Sequence, residues 1–301
     1  MEIISVIPRG YCQGVVRAIE TAKKTAAAHP HEKITMLGMI VHNQYVVDAC
    51  QKLGICFVED TGKTRLQLLD EIDDGIVIFT AHGVSDAVYA KAEAKGLTIV
   101  DATCKDVERT HILVKEHCKR GGDVIYIGRR NHPEAEGTVS LSDHIHLVSC
   151  KEDIDALPLL HDVLITSQTT LSLLDTKELI EACQKRFPHA QVQAEICNAT
   201  RIRQEAVQKL KDVDLLIVVG DPRSNNSRML AHTGEKAGIP HAILISSIED
   251  LKEEDIKEKN RIAVTSGSST PNVLTSQVIS FLQEYTRTGI FHALKADVSV
   301  L

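Results

Sequence analysis

The sequence predicts an α/β protein built from three related units, and three observations carry that expectation. Short β-branched runs alternate with longer amphipathic ones, the pattern of mainly parallel sheets covered by helices. Cys12, Cys104 and Cys197 each follow a strand-like run and precede a helix-like one, at separations of 92 and 93 residues. Two further landmarks recur in the same order: a strand ending in Gly (Gly38, Gly128, Gly220) and a later strand carrying Thr (Thr80, Thr166, Thr265) ahead of a hydroxyl- or His-bearing turn. Three landmarks repeated three times in one order are the mark of an internal repeat.

The elements follow from these runs. EIISVI opens as a strand and leads to an amphipathic stretch from Gly14 to His29; KITML leads to Asn43–Leu53, and GIVIFTA to Asp86–Lys95. LTIVDATC brings the chain to Cys104; VIYIG and VLITSQTTLS supply the second unit's strands, LIVVG and IAVTSGSSTP the third's. From the Gly to the Thr the gaps are 42, 38 and 45 residues, a drift that connecting loops absorb. The expected spans are 1–102 with Cys12, joined by the tail 282–301, then 103–195 with Cys104 and 196–281 with Cys197. A pseudo-threefold arrangement of such units turns equivalent strand ends toward a common centre, one thiolate from each.

Composition narrows the function classes. At 301 residues, 43% hydrophobic and 25% charged, the chain has no compositional mark of disorder, collagen or coiled coil. A net charge of −7 exerts no long-range pull on a phosphate backbone or an anionic membrane, so neither nucleic acid nor membrane is expected as a partner. No apolar stretch approaches the roughly 18 to 20 residues of a membrane span. Met1 runs straight into EIISVI without a basic or long apolar leader region, so a cytoplasmic protein, monomeric by default, is expected.

Eight cysteines in a reducing compartment point to metal or redox chemistry before disulfides. The absence of any CxxC removes zinc ribbons, thioredoxin-type motifs and clustered ferredoxin spacing, so a cysteine-bound metal must be assembled from distant segments. Cys50, Cys56, Cys118, Cys150 and Cys183 read as structural thiols. Three converging thiolates suit either a structural zinc or an iron–sulfur cluster with one open iron. The polar loops around an open position favour the cluster, which combines Lewis acidity with electron delivery. His42, His82, His132, Thr169, Ser224, Asn226 and Ser269 all follow strands and could surround an anion, aided by helix N-termini. Glu134, in NHPEAEG, is the nearest acid able to move protons. A cluster-dependent hydro-lyase or a non-catalytic iron–sulfur sensor would draw on the same cysteines.

At these residues the chain resembles the 4-hydroxy-3-methylbut-2-enyl diphosphate reductases, the LytB-type iron–sulfur reductases of the methylerythritol phosphate route to isoprenoids. The likeness runs through nine ordered strings: PRGYCQGV, VHNQYVVD, TAHGVS, DATC, NHPEAEGT, SQTTLS, EICNAT with RQEAV, GDPRSNNS and SGSSTP. The resemblance implies three α/β domains in a trefoil around a central [4Fe–4S] cluster held by Cys12, Cys104 and Cys197. It implies diphosphate ligands at His42, His132, Ser224, Asn226 and Ser269, with His82 at the same pocket and Asn225 where a second Ser is frequent. It also implies that Thr169 and Glu134 handle the substrate hydroxyl, bound at the open iron, and the proton. The implied reaction adds two electrons and two protons, expels the allylic hydroxyl as water and yields isopentenyl and dimethylallyl diphosphates, with a reduced ferredoxin or flavodoxin as donor. Lys105, in place of a frequent Pro, and NATRIRQ, in place of a YATTNRQ form, are further departures.

Overall fold

The central strands are mostly apolar and buried along nearly their whole length because helices cover both of their faces and leave no solvent side for alternate residues. In chain order the strands are β1 (Glu2–Ser5), β2 (Ile34–Leu37), β3 (Ile55–Val58), β4 (Ile76–Phe79), β5 (Thr98–Asp101), β6 (Val124–Ile127), β7 (Ile145–Val148), β8 (Leu164–Ser167), β9 (Gln191–Val192), β10 (Leu215–Val219), β11 (His241–Ile245) and β12 (Arg261–Ser266). The computed structural model describes residues 1–292, 295 and 296. The strands form three four-stranded parallel sheets, ordered β3-β2-β4-β5, β7-β6-β8-β9 and β11-β10-β12-β1.

One plan repeats in each sheet. The strand ahead of a cysteine lies at an edge: β5 before Cys104, β9 before Cys197, β1 before Cys12. Beside it runs the strand that carries or precedes the landmark Thr, then the strand that ends at the landmark Gly. Gly38, Gly128 and Gly220 donate their N–H groups to Val58 (2.8 Å), Val148 (3.0 Å) and Ile245 (2.8 Å), the last residues of β3, β7 and β11. Cys104, Cys197 and Cys12 donate theirs to the carbonyls of Ala81, Thr169 and Ser268, each at 3.0 Å.

Sheet membership departs from the spans 1–102, 103–195 and 196–281. β1 pairs with β12, so each cysteine follows the strand that completes its own sheet, and the first strand of the chain completes the sheet of the last segment. The reason is edge availability. β5 already occupies the edge beside β4, whereas β12 keeps an open edge that β1 fills with Glu2–Ser5 opposite Arg261–Val264. Of the tail 282–301, Leu282 on the helix Asn272–Thr288 sits in the core of this same sheet, with Tyr285 and Ile3 packed against that core. Residues 293, 294 and 297–301 lie outside the described residues.

Two compact units result. One holds β1 and β10–β12 with His42–Ala49 and the chain from Asn198 on; the other holds Gly14–Val41 and Cys50–Cys197, with the sheets of β2–β5 and β6–β9. In the first, Leu215, Ile217 and Val219 face Leu274, Val278 and Leu282, while Leu216 and Val218 face Val207 and Leu230. That two-residue alternation is what a strand sandwiched between helices imposes. In the second, β2 and β4 pack on Leu68, Val88 and Ala92, and β6 and β8 on Val114 and Cys183. Among the described residues no helix is long and apolar enough to cross a membrane.

Candidate active site

The cysteine loops are built by the sheet plan. Gly10 lies at φ +75°, and a Cβ there would meet Asn272 Oδ1 at 1.7 Å, so the turn into Cys12 requires glycine. The same turn is pinned by Gly10 N–H to Ser266 Oγ (2.9 Å) and by the buried Arg203 guanidinium to Gly10 O (2.7 Å). Cys12, Cys104 and Cys197 are each half-buried and stand one residue ahead of the helices Gln13–Ala28, Lys105–Lys119 and Asn198–Gln208. Thiolate is the form of cysteine that ligates iron.

The other thiols contrast with these three. All eight cysteines are thiols rather than disulfides; Cys50 and Cys183 are buried, and burial pushes each up to about 11. Cys183 sits in the apolar core beside Ile165, Cys118 is half-buried, and Cys56 and Cys150 are exposed. Cys12, Cys104 and Cys197 are therefore each suited by exposure and thiol chemistry to ligate an iron–sulfur group, and the buried pair is not.

In the unit of β2–β9, the helix Pro133–Val139 carries Glu134 and begins with His132 as its cap. Glu134 N–H donates to His132 Nδ1 at 3.2 Å, which leaves the proton of a neutral ring on Nε2, a donor suited to an anion. The His82 and His132 rings meet edge to face with centroids 5.6 Å apart, and His82 Nδ1 lies 3.2 Å from Thr80 Oγ1. The helix comes close because Gly137 has no side chain: a Cβ there would sit 3.2 Å from Gly83 O.

Glu134 is 2% exposed. Its Oε1 accepts the Thr169 N–H at 2.7 Å and its Oε2 accepts the Thr169 hydroxyl at 3.0 Å. Burial raises its carboxyl to about 7 against the pull of those two hydrogen bonds, and the charge of Asp106 adds to the rise. Thr169 is itself positioned by the loop that carries Cys197, whose N–H it accepts. A buried acid that titrates near neutrality and touches a hydroxyl has the chemistry to hold and pass a proton.

In the unit of β1 and β10–β12, the candidate anion ligands form one hydrogen-bonded group. Ser269 Oγ donates to His42 O at 3.0 Å and lies 3.3 Å from Ser224 Oγ. Ser224 caps the helix Asn225–Lys236, with its Oγ accepting from Ser227 N–H. Asn226 is oriented at both ends: Oδ1 accepts the Ser268 N–H (2.9 Å) and Nδ2 donates to Thr200 Oγ1 (3.0 Å). Asn225 is buried, and its Oδ1 accepts from Arg228 Nη2 at 3.1 Å. Sequence reasoning passes over Gln44, Thr200, Arg203, Asp221 and Arg223, which organise these loops. The available signal is their place inside the quoted strings, charged or amide groups flanking the candidate ligands.

Comparison with known proteins gives one consistent result. A family model described as LytB protein matches residues 3–283. A curated 4-hydroxy-3-methylbut-2-enyl diphosphate reductase of Brevibacillus brevis is 49% identical over 289 residues, covering 95% of this chain and 92% of the relative. One from Symbiobacterium thermophilum is 47% identical over 290 residues, covering 95% of this chain and 98% of the relative. The solved E-1-hydroxy-2-methyl-but-2-enyl-4-diphosphate reductase from Plasmodium falciparum superposes with a TM-score of 0.87 at 34% identity, covering 94% of this chain and 88% of that one.

Proposed function

The chain belongs to the LytB protein family, and from that premise we propose that it reductively dehydroxylates 4-hydroxy-3-methylbut-2-enyl diphosphate to isopentenyl and dimethylallyl diphosphates. The balance is two electrons and two protons in, one water out: the allylic C–O bond breaks and a C–H bond forms. The observation that carries the reading is the Glu134–Thr169 pair, a 2%-exposed carboxyl raised to about 7 and hydrogen-bonded to a hydroxyl.

Cys12, Cys104 and Cys197 would hold a [4Fe–4S] cluster, and when bound it would supply single electrons and a Lewis-acidic iron. The protein's own groups do the rest. His42, Ser224, Asn225, Asn226 and Ser269 bind the diphosphate, with His82 and His132 adding imidazole N–H donors. Rigid hydrogen bonds, such as those at both ends of Asn226, orient these groups before the substrate arrives. Glu134 holds a proton on its carboxyl near neutral pH, and the Thr169 hydroxyl relays it to the departing oxygen. A reduced ferredoxin or flavodoxin would deliver the electrons.

The test is anaerobic. Reconstituted protein should show the visible absorption of a cluster and oxidise reduced viologen dye only when 4-hydroxy-3-methylbut-2-enyl diphosphate is added. Conversion of the substrate without consumption of reductant would overturn reduction in favour of a hydro-lyase; a cluster-loaded protein that binds but never converts would leave a sensor.

A further inference from the structure

We infer that Asp221, Arg223 and Gln44 form a clasp that sets the spacing of the two loops assigned above to diphosphate binding, so that Asp221 is a positioning residue for that site. The inference rests on the proposed reading of His42 and Ser224–Asn226 as diphosphate ligands.

Asp221 follows β10 directly after Gly220, three residues ahead of Ser224. Gln44 opens the helix Gln44–Lys52, two residues after His42. The Asp221 carboxylate is 5% exposed and accepts four hydrogen bonds. Oδ1 takes the Arg223 N–H (2.8 Å) and Nε (2.9 Å); Oδ2 takes Arg223 Nη2 (2.7 Å) and the Gln44 N–H (3.0 Å). Arg223 Nη2 also donates to Gln44 Oε1 at 2.9 Å, which closes a ring across the two loops.

The ring joins segments 177 residues apart in sequence, each ending at a candidate ligand. A fork-to-fork Arg–carboxylate pair fixes direction as well as distance. Burial by itself would raise the Asp221 carboxyl, but the hydrogen bonds from Arg223 and Gln44 hold it below the usual carboxylate range, so the clasp is charged at working pH.

Two physical roles predict opposite signs. If Asp221 mattered only through charge, its anion would repel a diphosphate and neutralise Arg223. Asp221→Asn would then tighten binding. If it positions the loops, Asn supplies one acceptor oxygen where four hydrogen bonds converge, the ring opens, and ordering the ligands falls to the substrate.

The experiment compares cluster-loaded wild type with Asp221→Asn and Gln44→Ala. It measures KM and kcat for 4-hydroxy-3-methylbut-2-enyl diphosphate and the inhibition constant of inorganic diphosphate. Asp221→Asn should raise KM and the inhibition constant together by about tenfold while kcat at saturation stays within about twofold, the pattern of lost uniform binding. Gln44→Ala, which keeps the backbone donor to Asp221 and removes the Oε1 acceptor of Arg223 along with the Nε2 donor to Asp48, should shift both in the same direction by less. Tighter diphosphate binding, or unchanged constants in both variants, overturns the clasp. Should Asp221→Asn fail to fold, Gln44→Ala alone decides. A wild type that neither binds inorganic diphosphate nor turns over would instead refute the functional reading beneath.

Discussion

Replacing Glu134 by Gln should make the protein more stable at alkaline pH and much less active. The carboxyl is raised from 4.5 to about 7, chiefly by burial. At roughly 1.4 kcal/mol per unit, keeping it ionised in its buried site costs about 3 kcal/mol relative to the unfolded chain. Between pH 4.5 and about 7 the native state holds a proton that the unfolded state has released, so this contribution to stability is full below 4.5 and is lost as pH rises through about 7. The amide of the Glu134→Gln variant never ionises, and the Thr169 hydroxyl can rotate to accept from it while the Thr169 N–H keeps its acceptor. Denaturant unfolding of both proteins across this range isolates Glu134, since all other titrations cancel in the difference. The variant should match wild type near pH 5 and exceed it by up to about 3 kcal/mol above pH 8, while turnover falls at least about 10²-fold. Wild-type kcat should decline as pH rises through about 7, when the acid loses its proton. Parallel stability curves for the two proteins would refute the raised carboxyl.

The remaining predictions concern other parts of the molecule. Cys12→Ser, Cys104→Ser and Cys197→Ser should each lose iron and sulfide on anaerobic reconstitution, whereas Cys183→Ser, a change confined to an apolar core, should retain both; equal metal content in all four would dissolve the three-cysteine centre. Asn225→Ser should leave KM within about twofold, because Arg228 engages only the Asn225 amide oxygen and a serine hydroxyl can donate to the diphosphate in place of the amide N–H; a rise of about tenfold or more would mean that the contact requires the amide. His111, lowered to about 4 by burial and the neighbouring charge of Lys115, contributes stability that is present above 6.5 and lost as pH falls toward about 4. His111→Asn should flatten that acid limb in unfolding measurements, and an unchanged limb would assign the loss to other groups.

Much of this protein is legible in its residue order. The alternation of β-branched and amphipathic runs announces strands and helices, since backbone geometry makes each demand its own period. The near-equal spacing of Cys12, Cys104 and Cys197 announces a repeat, and the strings around Glu134, Thr169 and Ser224 announce polar strand-end loops. Spacing alone could not assign β1 to the sheet of β12, because parallel strands pair wherever an edge is open and that depends on which edges others have filled. Nor could it bring Glu134 to Thr169 across 35 residues, or Asp221 to Gln44 across 177. The acidity of Glu134 also belongs to the folded state: a carboxyl on an extended chain is hydrated, and only packing removes the water that would hold its proton loss near 4.5. Local order thus determined which groups were available and on which elements, while desolvation and long-range pairing, which exist only once the chain has folded, decided what those groups can do.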